Sequence, residues 1–244
     1  MPMSLLSVKV DYIAAVRNAI KSKEATPSQA AVLAELAGAD AITCHLREDR
    51  QFIRDRDFYI LKEVVKGGLN LQIAPDDDLL ERAREVKPRM VTLMPFTDDN
   101  TVLSQGIDFE KNGDRYANAA GLLIEAGIRV CYFVDPDNEA IRDAARVKAD
   151  AVELNLHDYF KAKSDEEIES ELNRLEQMTQ LAAKLGMKVF GGNGLNYSNI
   201  RGLVELGGFD SFIIGYAIVS RAMMVGMDRA VRDMLDLLNR PAED

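Results

Sequence analysis

The sequence predicts a (β/α)8 barrel. Three observations carry that prediction: eight short apolar runs of strand length, amphipathic stretches with helix punctuation between them, and polar residues gathered where the apolar runs end. A doubly wound sheet uses fewer strands and would leave two of these runs unplaced. The 244 residues contain no Gly/Ser tract or low-complexity linker, so one domain spanning 1–244 is expected.

The strand candidates are Leu5 to Asp11, Ala41 to Leu46, Leu69 to Ala74, Met90 to Met94, Arg129 to Val134, Ala151 to Asn155, Lys188 to Gly191 and Ser211 to Gly215. After the first, Thr26-Pro27-Ser28-Gln29 reads as a cap, an N1 proline and a capping-box Gln, and Ser164 to Glu167 reads as a second capping box. Helix stops recur as Ala37-Gly38, Ala126-Gly127, Leu185-Gly186 and Leu206-Gly207, each followed closely by an apolar run. Two stretches exceed a minimal repeat: Phe96 to Arg115, polar before its helix, and Tyr159 to Leu185, whose helix, opened by the Ser164 capping box, is unusually long. Met223, Met224, Met227 and Met234 fall in helical patterns and suit core or subunit contacts.

Composition narrows the function classes. A formal net charge of −10 with no basic patch argues against nucleic acid. No apolar run is long enough to cross a bilayer and no charged-then-apolar leader is present, so a cytoplasmic protein with no membrane partner is expected. Cys44 and Cys131 sit inside strand candidates, which suits reduced core thiols. With two histidines and no clustered cysteines there is no metal-ligand spacing, and His157 reads as a loop residue.

A barrel carries its site at the C-terminal ends of its strands. Those ends supply Lys9 and Asp11, His45 and Arg47, Asn70 and Gln72, and Glu153 and Asn155. Each alone could be a solvated charge, and Lys9 with Asp11 could simply neutralise one another; their convergence from several strands is what points to a site. Strand seven opens into Gly191-Gly192-Asn193-Gly194, and strand eight ends Ile214-Gly215-Tyr216 where a helix begins. Paired Gly-rich turns at these two strands suit a phosphate held on backbone N–H groups, with simple tight turns as the alternative.

The segment GADAITCHLREDR, the opening VKVDYIAAVRNA, the strand LNLQIA, the turn GGNGLNY and the ending IIGYAIVSRA together resemble pyridoxine 5′-phosphate synthase from about residue 5 to the last helix. The resemblance implies a (β/α)8 barrel with extra helices, a homo-oligomer (an octamer) and no metal or organic cofactor. It implies condensation of 1-deoxy-D-xylulose 5-phosphate with 3-amino-2-oxopropyl phosphate. Asp11, His45, Arg47, Glu153, Gly194 and Gly215 match the family's functional positions. The resemblance makes His45 a proton acceptor, Arg47 a substrate contact and Glu153 an acid/base or orienting carboxylate.

Other positions depart from the family pattern. Lys9 stands for an asparagine, Tyr12 for a histidine, Ile20 for an arginine, Phe52 for a histidine and Val102 for a threonine. Gln72 replaces the catalytic glutamate, Asn193 the proton-donating histidine and Tyr216 the phosphate-side histidine. Amides do not titrate, so Gln72 and Asn193 keep size and hydrogen bonding but cannot move protons. The expectation is a barrel that binds a phosphorylated small molecule with the family's chemistry lost or altered. Two alternatives stay open: an active synthase with a rearranged site, and a lysine-dependent enzyme using Lys9 on a phosphorylated keto compound.

Overall fold

In the computed structural model, which describes residues 4–96 and 103–239, eight parallel strands close in chain order into one barrel, β1 pairing with β8. The strands are β1 (Leu5–Lys9), β2 (Ala41–His45), β3 (Leu69–Ile73), β4 (Met90–Leu93), β5 (Arg129–Val134), β6 (Ala151–Asn155), β7 (Lys188–Gly192) and β8 (Ser211–Ile214). Every strand candidate is therefore a strand. The first is two residues shorter than expected, because Asp11 opens a helix, α1 (Asp11–Ala19), rather than ending β1.

Extra helices accompany three of the connections. α1 is followed by α2 (Pro27–Ala37), and β8 by α10 (Tyr216–Val225) and α11 (Met227–Asn239). Within Tyr159 to Leu185, the short α7 (His157–Lys161) stops where Ala162 turns to φ −56°, ψ 133°, and the long α8 (Asp165–Lys184) starts behind Ser164, as its capping box implies. The Ser164 hydroxyl accepts from Glu167 N while the Glu167 carboxylate accepts from Ser164 N, a reciprocal cap that favours a fresh start. Thr26 likewise accepts from Gln29 N at the start of α2. The remaining helices are α3 (Asp55–Val64), α4 (Asp77–Val86), α5 (Phe109–Glu125), α6 (Asn138–Arg146) and α9 (Ile200–Leu206). The glycine stops at 38, 127, 186 and 207 all have positive φ, which a Cβ would oppose.

Strand alternation divides the molecule into two interiors. Leu6, Val8, Ile42, Leu71, Val91, Val130, Val152, Val189 and Phe212 belong to one continuous core that includes the helices. The intervening positions form the barrel interior. Inside it Met90, Cys131 and Ala151, with Phe190 packed on them, form a small apolar cluster, while neighbouring interior positions are polar. There the Ser7 and Thr43 hydroxyls lie 2.7 Å apart and the Thr92 hydroxyl donates to Asn70 Oδ1 at 3.0 Å. TIM-barrel interiors are dominated by branched apolar residues, so a polar layer departs from the usual filling. Cys44 and Cys131 are buried free thiols.

The far end of the barrel is built for stability. Asp40, Asp150 and Asp210 each stand just before a strand and accept from a backbone N–H of the preceding neighbour, at Leu6, Val130 and Val189. A cavity of about 1320 Å³ opens at this end, lined by Ser7, Asn70, Met90, Phe190, Ser211 and Ile213 among others. It lies away from the strand C-termini, where the candidate residues gather.

Candidate active site at the barrel mouth

Four strand ends place one connected chain of polar groups across the mouth. Lys9 Nζ, ending β1, donates to Gln72 Oε1 at 2.6 Å, and Gln72 Nε2 donates to both oxygens of Glu153, at 3.1 and 2.8 Å. Gln72 lies on β3 beside His45 of β2, and Glu153 projects from β6. Asp11 reaches back from the first turn of α1: its Oδ1 accepts from His45 N at 2.7 Å and its Oδ2 lies 3.8 Å from Lys9 Nζ. Lys9 and Asp11 therefore do meet, through a helix N-terminus rather than a shared strand face. Asp11 Oδ2 is buried with no hydrogen-bond partner among the described residues.

Burial controls the titration of these groups. Glu153, 2% exposed, has its carboxyl pushed up to about 7 by desolvation, against the opposing pull of the Lys9 charge and the Gln72 hydrogen bond. Burial also raises the Asp11 carboxyl, again against Lys9. His45 is held well below its usual value by desolvation and then by the Lys9 and Arg47 charges, so it is neutral at pH 7. A neutral imidazole can accept a proton, and a carboxyl near neutrality can both give and take one.

Asn193 stands outside this chain. Its amide donates to Leu103 O at 2.7 Å and to Asn155 Oδ1 at 2.8 Å, while the Asn155 amide donates to Asp135 Oδ1 at 2.8 Å and Ser104 O at 3.3 Å. The stretch before α5 is thereby strapped along the end of β5, where Ile107 N donates to Phe133 O and a Cβ on Gly106 would collide with the Val134–Asp135 backbone. Asn193 adopts φ +73° and Gly194 φ +88°, two successive left-handed residues in which Asn is among the tolerated types. Asp135 was missed by the sequence reading, although it follows β5 and the strand-end rule would have flagged it.

The Gly-rich turns divide in role. A Cβ on Gly192 would overlap Glu153 Oε1, so Gly192 makes room for the buried carboxyl. Gly194 is packed on Phe160, and Gly215, the N-cap of α10, lies against Lys9 and Tyr12. Tyr12 meets Tyr216 edge-on with ring centroids 5.5 Å apart. Arg47 is joined by the exposed Asp49, and Val102 lies outside the described residues. Among the described residues no His, Cys, Asp and Glu cluster could hold a metal ion, and no helix is long and apolar enough to cross a membrane.

This geometry stands on a chain whose residues 6–240 match the family model of the pyridoxal phosphate biosynthesis protein PdxJ. The chain belongs to the PdxJ family. It is 42% identical over 236 residues to the pyridoxine 5′-phosphate synthase of Geobacter sulfurreducens, covering 97% of this chain and 99% of that one. It is 43% identical over 239 residues to that of Trichlorobacter lovleyi, covering 98% and 100%. The barrel also resembles a phosphoribosyl anthranilate isomerase from Thermus thermophilus (TM-score 0.61, 13% identity, 96% and 98% covered). A tryptophan synthase α-subunit mutant from Pyrococcus furiosus is similarly related (TM-score 0.62, 12% identity, 97% of each chain). At such identities the likeness is one of fold.

Stability should record the Glu153 carboxyl directly. Its pKa is raised on folding from 4.5 to about 7, so between these values the folded state binds more protons than the unfolded one and stability falls as pH rises. Taken over the whole window the loss is on the order of 3 kcal/mol. The Tm difference between Glu153→Gln and the parent is expected to grow in favour of the variant from about pH 4.5 to 7 and then level off. Parallel Tm–pH curves would show that Glu153 does not titrate there.

Proposed function

We propose that this PdxJ-family barrel binds a phosphorylated small molecule at its mouth, and that the ring-forming condensation of its relatives is lost or altered. The observation that carries this reading is the Lys9–Gln72–Glu153 chain. The family's catalytic carboxyl position holds an amide that does not titrate, and both ends of that amide are already engaged, by an ammonium and by a carboxyl. Asn193, at the family's proton-donor position, spends its amide protons on Leu103 and Asn155. The phosphate is assigned to the turns at Gly192 to Gly194 and Gly215 to Tyr216, where α10 offers its N-terminal N–H groups beside Gly215. Titration calorimetry with 1-deoxy-D-xylulose 5-phosphate is expected to give binding that inorganic phosphate competes away and that Gly215→Val weakens at least tenfold. No binding at millimolar ligand would overturn the reading.

A second reading, an active pyridoxine 5′-phosphate synthase with a rearranged site, is favoured by the 42% identity over nearly the whole chain and by a Glu153 carboxyl near 7, suited to proton transfer at neutral pH. Either reading fits a homo-oligomer. Ile20, Tyr216, Met223 and Met224 are exposed by 79, 67, 67 and 83%, whereas Met227 and Met234 are buried. Light scattering at micromolar concentration is expected to give a multiple of 27.1 kDa, and a monomer would exclude this assignment.

A further inference from the structure

We propose that Lys9 is a covalent amine, forming an iminium with the carbonyl carbon of a phosphorylated ketone or aldehyde whose phosphate sits on the β8 turn. The inference rests on the phosphate-ester reading above and adds the bond-forming group. Three observations place that group. The Lys9 side chain ends β1 at the mouth and is 23% exposed, so a ligand can reach it, while its ammonium is oriented by Gln72 Oε1 at 2.6 Å. A Cβ on Gly215 would lie 3.1 Å from Lys9 Cβ and 3.2 Å from Lys9 O, so the turn assigned to phosphate borders the backbone and first side-chain carbon of the residue that carries the amine. Asp11 Oδ2, buried and without a hydrogen-bond partner among the described residues, is the carboxylate oxygen paired with Nζ, at 3.8 Å.

The step balances with these groups alone. Asp11 takes a proton from the ammonium, and the freed nitrogen pair adds to the carbonyl carbon as the carbon–oxygen π bond opens. The carbinolamine oxygen receives that proton from Asp11. The nitrogen gives up a second proton, which the same carboxylate delivers to the hydroxyl; the carbon–oxygen bond then breaks as the nitrogen pair forms the C=N bond, and water leaves. Ammonium plus carbonyl has become iminium plus water, and Asp11 ends as the carboxylate it began as. Burial raises the Asp11 carboxyl, which brings it nearer to the protons it must hold in transit. The positive iminium stays beside the Asp11 carboxylate that was paired with the ammonium.

The test uses dihydroxyacetone phosphate as the probe. The unmodified protein is incubated with it, reduced with sodium borohydride, and analysed by intact mass and peptide mapping. One equivalent of adduct is expected on the peptide carrying Lys9, reduced at least tenfold by inorganic phosphate. Lys9→Arg is expected to give no adduct there while still binding the probe by calorimetry. Because the peptide map reads the native chain, the outcome does not depend on how well the variant folds. Calorimetric binding without label on Lys9, or label spread evenly over surface lysines, overturns the inference and leaves phosphate-ester binding standing. Absence of both binding and label overturns the two together.

Discussion

Supplied with 1-deoxy-D-xylulose 5-phosphate and 3-amino-2-oxopropyl phosphate, the purified protein is expected to form pyridoxine 5′-phosphate at least ~100-fold more slowly than the synthase of Geobacter sulfurreducens. Removing one proton-transfer group typically costs ~10²- to 10⁴-fold, and two positions implied by the family resemblance, Gln72 and Asn193, hold amides. The structure adds a reason beyond their chemistry: both amides are committed to other partners. Gln72 bridges Lys9 and Glu153, and Asn193 holds the strap at Leu103. Restoring the family residues is therefore expected to recover less than tenfold. Gln72→Glu would set a second carboxylate about where Nε2 now lies, 2.8 Å from Glu153, and two such groups cannot both ionise. Asn193→His would break both amide hydrogen bonds, to Leu103 O and Asn155 Oδ1. Product formation by the unmodified protein within tenfold of the relative would establish the rearranged-synthase reading in its place.

The barrel was legible because its information is local. Apolar runs such as Ala41 to Cys44, helix stops such as Gly38 and the Ser164 capping box each act within a few residues, and each does in the structure what its residue types favour. The end of the first strand was not legible, for a non-local reason. Asp11 looks like a strand residue because Val8, Val10 and Ile13 continue an apolar pattern, yet its carboxylate is recruited by the His45 N–H 34 residues away, and the chain turns into α1. In the site, strand-end polarity marked Lys9, His45, Gln72 and Glu153, whereas only three-dimensional packing separates Asn193 from their chain and assigns Gly192 to the Glu153 carboxyl.

Arg17→Met is expected to cost about 3–5 kcal/mol, and to lower the Tm by roughly 6–20 °C for a domain of this size. Arg17, on α1, is 6% exposed and forms a forked pair with Asp57, 8% exposed, at the start of α3: Nη1 to Oδ1 at 2.5 Å and Nη2 to Oδ2 at 2.9 Å. The same guanidinium donates to Phe52 O at 3.1 Å, and the neighbouring Asn18 amide donates to Gln51 O and Phe52 O. The loop that follows β2 and carries Arg47 is thus pinned to α1 by backbone carbonyls, independently of loop sequence. Losing only the guanidinium strands a buried carboxylate, which is where the large cost arises. Arg17→Met with Asp57→Leu removes both charges and is expected to recover most of the loss. A residual deficit of about 1 kcal/mol should remain, because Asp57 Oδ2 also accepts from Arg54 N and caps α3. Thermal melts of the two variants and the parent distinguish the cases. A Tm change below about 2 °C for Arg17→Met would mean that the pair behaves as a solvated surface bridge and does not hold the loop.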